Sequence, residues 1–297
     1  MTAVIETDRL SKSYGSARGI ADLTLRVERG EVFGFLGPNG AGKTTTIRTL
    51  LDLLHPTGGS ATLFGLDSRR DSAAIHARLG NLPGEFAYDD RMTGSELIEL
   101  FAALRGVEDL APAHALAERF EANLNRPLGA LSRGNRQKIG LVQALFHDPE
   151  LLILDEPTTG LDPLMQEEFL AVIGEHRDRG GTVFLSSHEL DEVERVCDRV
   201  AIIRDGALIA VEDVAEMRGR AYREVSVRFG DAVAPAELRV AGMRDVTADG
   251  ATMRFRVEGE LDGVVKALAR HEVLDLEVTR PPLEQLFLTY YGHEDGS

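Results

Sequence analysis

The sequence predicts an α/β fold organised on a parallel sheet. Three observations carry that expectation. An apolar run, residues 32–36, leads into Gly37-Pro38-Asn39-Gly40-Ala41-Gly42-Lys43-Thr44-Thr45, and Ile47, Leu50 and Leu51 continue at helical spacing. A second apolar run, Leu151-Leu152-Ile153-Leu154, ends in Asp155-Glu156-Pro157, as a strand buried on both faces does. Around these runs, strand-length and helix-length patterns alternate.

The glycine-rich stretch has the spacing of a phosphate-cradling P-loop. Its glycines let backbone N–H groups curl around an anion without Cβ clashes. The helix opening near Lys43 adds the positive end of its dipole. Lys43 brings a compact charge to the outer phosphates, and the Thr44 hydroxyl can ligate Mg²⁺. Only four of the 33 basic residues are lysines, Lys12, Lys43, Lys138 and Lys266. In such an arginine-rich chain, a lysine in the loop points to a need for an ammonium.

The elements follow in order. Residues 2–8 and 21–28 read as strands, separated by a turn at Ser13-Tyr14-Gly15. The strand before the P-loop comes next, then a helix over 43–54 that stops before His55-Pro56-Thr57-Gly58-Gly59. Residues 61–65 form a strand, 70–78 a helix and 79–82 a strand ended by Pro83-Gly84. A helical block follows, opened by Thr93 with Glu96 as a capping box and continued by helices over 112–122 and from Gly134 or Asn135 to Phe146. Beyond the buried strand 151–154 come a helix over 163–179, a strand over 182–185, a helix over 189–196 and strands 199–204 and 207–211 around Asp205-Gly206. After about residue 218 the pattern becomes a small α+β unit: strands 225–229, 253–257 and 272–279, a helix 260–270 and an amphipathic helix 282–291.

Composition limits the function classes. The chain has 297 residues, room for one large or two smaller domains, and is 43% hydrophobic. Its single cysteine, Cys197, forms no internal disulfide and suits a reducing cytosol, where it is expected as a buried small hydrophobe. No signal peptide or run of ~20 apolar residues is present, so the expectation is a soluble chain, or one held at a membrane by a partner. A net charge of −16 argues against a broad nucleic-acid surface.

Further segments carry chemistry. Asp155 stands where a P-loop nucleotide hydrolase holds Mg²⁺ through water, and Glu156 beside it is placed to act as general base. Leu131-Ser132-Arg133-Gly134-Asn135-Arg136-Gln137 opens a helix with a hydroxyl and free N–H groups, which suits an anion as well as a plain N-cap.

Together the segments resemble the ATP-binding subunit of an ABC transporter, over about residues 3–218. The resemblance makes 37–45 the Walker A loop, Leu151–Pro157 the Walker B segment and Leu131–Gln137 the signature motif, usually written LSGGQ. Thr159-Gly160-Leu161-Asp162 resembles the D-loop, His188 the switch histidine, and Tyr14 the aromatic that stacks on adenine. It implies a P-loop fold with an antiparallel β-subdomain and a helical subdomain, about 85–147, followed by an accessory α+β domain, 219–297. It further implies two chains meeting head to tail, with Ser132 and Gly134 of one contacting the γ-phosphate held by the other. Glu156 would act on the attacking water, His188 would bind the γ-phosphate, and Asp162 would lie at the nucleotide interface. Hydrolysis would then move a separate integral-membrane permease, with the chain cytoplasmic and peripheral on the inner face of the membrane.

The departures are specific. Arg133 replaces the second signature residue, glycine, and Asn135 replaces the fifth, glutamine. Gly84 stands where the family carries its Q-loop glutamine, and the next residue, Glu85, is the candidate carboxylate ligand for Mg²⁺. Phe86 and Tyr88 lie in the segment that leads, by the resemblance, to the permease. The tail Pro281–Tyr291 resembles that of drug-export ATPases of the daunorubicin-resistance type and favours export. The alternative is a non-transport ABC ATPase acting on nucleic acid or the ribosome. It is disfavoured by the acidic charge, the single cassette and the lack of a long coiled coil.

Overall fold

A computed structural model describes residues 3–15, 17–85, 88–220, 222–238 and 240–279. The expected helix at 282–291 and Phe86 lie outside the described residues. The chain parts into two compact units, Met1–Glu212 and Asp213–Ser297, a boundary slightly before residue 218.

The first unit begins with β1 (Ala3–Tyr14) and β2 (Ala17–Glu28), then β3 (Val32–Leu36) and α1 (Lys43–Leu50). Next come β4 (Gly58–Leu63), β5 (Leu66–Asp67), α2 (Ser72–His76) and β6 (Leu79–Leu82). The helical block holds α3 (Gly94–Arg105), α4 (Ala111–Arg119) and α5 (Arg133–Leu145). It is followed by β7 (Leu151–Asp155), α6 (Pro163–Asp178), β8 (Thr182–Ser187), α7 (Leu190–Val196), β9 (Arg199–Arg204) and β10 (Ala207–Asp213). α8 (Val214–Arg220) lies in the second unit, which continues with β11 (Arg223–Phe229), β12 (Met243–Asp249), β13 (Thr252–Val257), α9 (Asp262–Leu268) and β14 (Val273–Thr279).

The central sheet has six strands in the order β10-β9-β3-β8-β7-β6. β3 pairs in parallel with β8 and β9, β7 with β8, and β6 with β7. The registers Leu36↔Ser187, Asp155↔Ser186 and Leu82↔Leu154 bring the carboxyl ends of β3, β8, β7 and β6 to one edge. That edge is where open α/β sheets place their ligands. Every residue of β3, β7 and β8 is buried, which explains their apolar runs; Asp155, Thr182, Ser186 and Ser187 are the buried polar exceptions.

A second sheet, β2-β1-β4-β5, is antiparallel in its three pairings. Its Ile5, Leu10, Leu23, Val27 and Leu63 share one core with Phe33, Phe35, Leu50 and Phe184. Phe184 stacks on Phe33 at 6.0 Å between centroids and meets Phe35 at 5.4 Å, which fastens β8 beside β3. In the second unit β12-β13-β11-β14 form an antiparallel sheet with its own core of Val225, Val227, Phe229, Phe255, Val257, Val264 and Leu268.

Local signals hold. The Thr93 hydroxyl accepts from Glu96 N at 3.2 Å, and Thr93 N donates to Glu96 Oε2 at 2.7 Å, a complete capping box. Asp205 and Gly206 have φ of 52° and 79°, as the expected hairpin turn requires. Cys197 is buried, and burial pushes its thiol well above the ordinary range, as befits a core residue. Some boundaries move. β1 and β2 run much further toward each other than 8 and 21, and α1 ends at Leu50, with Asp52 at φ 57°.

Candidate functional site

The site is built at the shared carboxyl edge of the parallel strands. After β3 the chain wraps from Gly37 to Gly42 and enters α1 at Lys43. Gly42 caps the helix at φ 108°, and a Cβ there would stand 2.9 Å from Ile20, so both conformation and space demand glycine. The Lys43 ammonium folds back over the loop, donating to the Gly37 carbonyl at 2.5 Å and the Pro38 carbonyl at 3.3 Å. It is buried, and it stands 3.0 Å from Glu156 Oε1 without hydrogen-bond alignment.

Glu156 follows β7 with φ 51°, a conformation that costs a non-glycine residue about 1–2 kcal/mol. Hydrogen bonds hold it there. Its N–H donates to the Ser186 carbonyl at 3.2 Å and to Ser186 Oγ at 3.0 Å. The Gln137 amide donates to the Glu156 and Pro157 carbonyls at 3.2 and 2.9 Å. The second carboxylate oxygen lies 2.5 Å from His188 Nδ1, so that nitrogen carries the proton. Asp155 is almost wholly buried, and its Oδ1 accepts from Ser186 Oγ at 2.6 Å. Its Oδ2 faces Gly84, where a Cβ would approach to 2.9 Å.

A cleft of about 400 Å³ joins these groups. Asn39, Thr44, Arg48, Gly84, Glu85, Arg133, Asp155, Glu156, Thr159 and His188 line it. Thus Thr44, Asp155 and Glu85, the residues expected around a cation, share one cavity with the expected base and histidine. Among the described residues no group of three or more His, Cys, Asp and Glu side chains suits a metal by itself. Thr44, Asp155 and Glu85 put one hydroxyl and two carboxylates on the cleft, a donor set of the kind Mg²⁺ takes when water and substrate phosphates complete its shell.

Other expected residues lie outside this lining. Ser132 caps α5, its Oγ accepting from Asn135 N at 3.3 Å and Asn135 Nδ2 at 3.2 Å. Gly134 backs onto the D-loop, where a Cβ would stand 2.4 Å from the Gly160 carbonyl oxygen. Asp162 caps α6 by accepting from Met165 N at 3.1 Å. Tyr14 ends β1, 46% exposed, with Lys12 Nζ 5.3 Å from its ring centroid. Thr45 follows Thr44 on α1, and Pro38, Gly40 and Ala41 complete the loop, Ala41 N donating to the Pro38 carbonyl at 3.1 Å. Sequence reasoning missed the Ser186 clamp and the place of Arg48 in the cleft. A serine in an otherwise apolar strand was the available signal for the first.

The sequence matches the family model described as ABC transporter over residues 20–159. It is 34% identical to the daunorubicin/doxorubicin resistance ATP-binding protein DrrA of Streptomyces peucetius, over 98% of this chain and 93% of that protein. The chain belongs to the ABC transporter ATP-binding subunits. The bacitracin transport ATP-binding protein BcrA of Enterococcus faecalis is 32% identical over 86% of this chain and 84% of its own length. A solved ATP-binding subunit of an ABC transporter superposes with a TM-score of 0.65 at 30% identity, over 72% of this chain and 92% of that one. A dimeric ATP-binding cassette bound to ADP and phosphate shares the fold, with a TM-score of 0.65 at 21% identity, over 71% of this chain and 98% of that one. This ABC cassette is therefore an ATP-binding, ATP-hydrolysing subunit of a transporter. Among its described residues no helix is long and apolar enough to cross a membrane.

Proposed function

We propose that the chain drives export through a separate integral-membrane permease, acting as one of two ATPase subunits that close head to tail on ATP. The permease would hold it on the cytoplasmic face of the membrane. The names of its relatives, a daunorubicin/doxorubicin resistance protein and a bacitracin transport protein, support a drug or antibiotic as cargo. The observation that carries the reading is the division of the site. Thr44, Asp155, Glu156 and His188 line the cleft, with Lys43 3.0 Å from Glu156, while Ser132 and Gly134, on either side of Arg133 at the start of α5, are outside the lining. A second copy would bring its own Ser132 and Gly134 to complete the other wall, so the expected pair is a homodimer.

The P-loop amides and Lys43 bind the phosphates, and Thr44, Asp155 and Glu85 are the side chains to hold Mg²⁺. When bound, that cation offsets the charge that builds between the outer phosphates. Glu156 accepts a proton from the attacking water through Oε1 once Lys43 turns to the phosphates. His188 keeps the opposite carboxylate oxygen in place and, when both ring nitrogens carry a proton, donates from its outer nitrogen to the γ-phosphate. Tyr14 supplies an exposed ring for adenine, and Asp162 orients the D-loop by capping α6.

The test is co-expression with candidate membrane permeases, followed by purification on the permease. The reading expects the chain to co-purify and its ATP turnover to rise with the exported drug. A chain that binds no permease, and instead sediments with ribosomes or nucleic acid, would contradict it.

A further inference from the structure

Beyond Asp155 and the Lys43–Glu156–His188 group, three charged side chains line the cleft: Glu85, Arg133 and Arg48. Glu85 follows β6, and Arg133 opens α5, yet both line the same cavity of about 400 Å³. Among the described residues neither makes an ion pair. The path of Arg133 is set by its neighbours. Gly134 lies against the Gly160 carbonyl, and Gly160 has φ 84°. The aliphatic stem of Arg133 runs past Gly160, its Cγ and Cδ 3.6 and 3.8 Å from where a Cβ would sit. With its stem laid along Gly160, Arg133 lines its own chain's cleft.

The electrostatics give this placement a purpose. Glu85, Asp155 and Glu156 put three carboxylates around a cavity that must admit a polyphosphate. Glu156 has Lys43 at 3.0 Å and His188 at 2.5 Å, and Asp155 accepts from Ser186. Glu85 has no such partner, and like charge in a partly enclosed cleft repels an entering anion.

We infer that Arg133 is a nucleotide-site residue of its own chain, positioned to offset the Glu85 carboxylate and admit the ATP phosphates. The inference rests on reading this cleft as the ATP site. One helix start then serves two sites: Ser132 and Gly134 address the second copy's nucleotide, and Arg133 addresses its own.

The two roles separate in a monomer. Binding of a fluorescent N-methylanthraniloyl-ATP is titrated in EDTA, at chain concentrations where sedimentation gives a single species of 32.4 kDa. Arg133→Gln should weaken binding about tenfold, the scale of one unit charge acting through a partly wet cleft. Arg133→Lys should restore most of the affinity, and the Glu85→Gln/Arg133→Gln double variant should return it to within about threefold of the parent. Parental affinity in monomeric Arg133→Gln, with only ATP-driven dimerisation impaired, would overturn the inference and assign Arg133 to the partner's nucleotide. A double variant as weak as Arg133→Gln would overturn the Glu85 offset. Lys43→Ala is the reference for the site itself. If it also binds like the parent, the cleft is not the ATP site and the broader reading fails.

Discussion

Lys43 and His188 hold opposite oxygens of one carboxylate: Lys43 Nζ lies 3.0 Å from Glu156 Oε1, and His188 Nδ1 lies 2.5 Å from Oε2. The ammonium proposed to bind phosphate thus lies against the carboxylate proposed as base. On the proposed reading, an incoming phosphate would compete for Lys43 and release Oε1 toward the attacking water. Binding and activation would then be coupled through one ammonium group.

Lys43→Ala removes both halves of that coupling. ATP turnover should fall to about 1% or less of the parent, since a buried phosphate-directed charge contributes several kcal/mol where phosphoryl charge develops. A coupled-enzyme ATPase assay measures it, alongside equilibrium nucleotide binding. Parental turnover would remove Lys43 from the site.

The main architecture was legible because it depends on one-dimensional signals. Apolar runs 32–36 and 151–154 are fully buried parallel strands, and the glycine spacing from Gly37 to Gly42 is local chemistry. The long ribbon of β1 and β2 was not legible. Its register shifts break alternation, and exposed Arg9 and Tyr14 hide the pairing from sequence. The helix expected over 43–54 is cut at Leu50, where the chain turns and Asp52 takes a left-handed conformation that few side chains signal. In the site, the residue types were readable but their company was not. Nothing between positions 85 and 133 shows that Glu85 and Arg133 share a cavity, because the fold alone brings β6 and α5 together. The left-handed backbone of Glu156 is likewise tertiary, fixed by Ser186 and Gln137 from distant segments.

Gly84 is the point at which the chain leaves β6 beside Asp155. A methyl group there would meet Asp155 Oδ2 at 2.9 Å and must displace the carboxylate or the loop. Gly84→Ala should weaken ATP binding about tenfold in Mg²⁺ and by a smaller factor in EDTA, because Asp155 is the carboxylate proposed to hold the cation. Titrations of a fluorescent ATP in the two buffers give the comparison. Equal losses in both would place the fault in loop geometry, and no loss would show that the close approach is unimportant.

A half-buried histidine and a buried one set an acid limit on stability. Burial, reinforced by the Arg105 charge, pushes His147 down to about 4, and burial also lowers His176. Neutral His147 donates from Nε2 to the Leu79 carbonyl at 3.3 Å. The unfolded chain takes up these protons near pH 6.5, whereas the folded chain resists until about pH 4 for His147. Their contribution is therefore complete above pH 6.5 and is lost as pH falls through that window. Urea midpoints measured from pH 7 to 4.5 should decline, and His147→Gln should flatten the decline by about 1–2 kcal/mol. An unchanged slope in the variant would show that other groups govern it.

The central claim is that this chain supplies one jaw of a clamp that two copies close on ATP. Glu156→Gln keeps the shape of the base while removing its capacity to take a proton, so the bound state should persist. Sedimentation of that variant with and without Mg²⁺-ATP tests the claim most directly. The account predicts a 32.4 kDa species without nucleotide and a species of twice that mass with it. A variant that binds ATP yet remains at 32.4 kDa at every accessible concentration would contradict it.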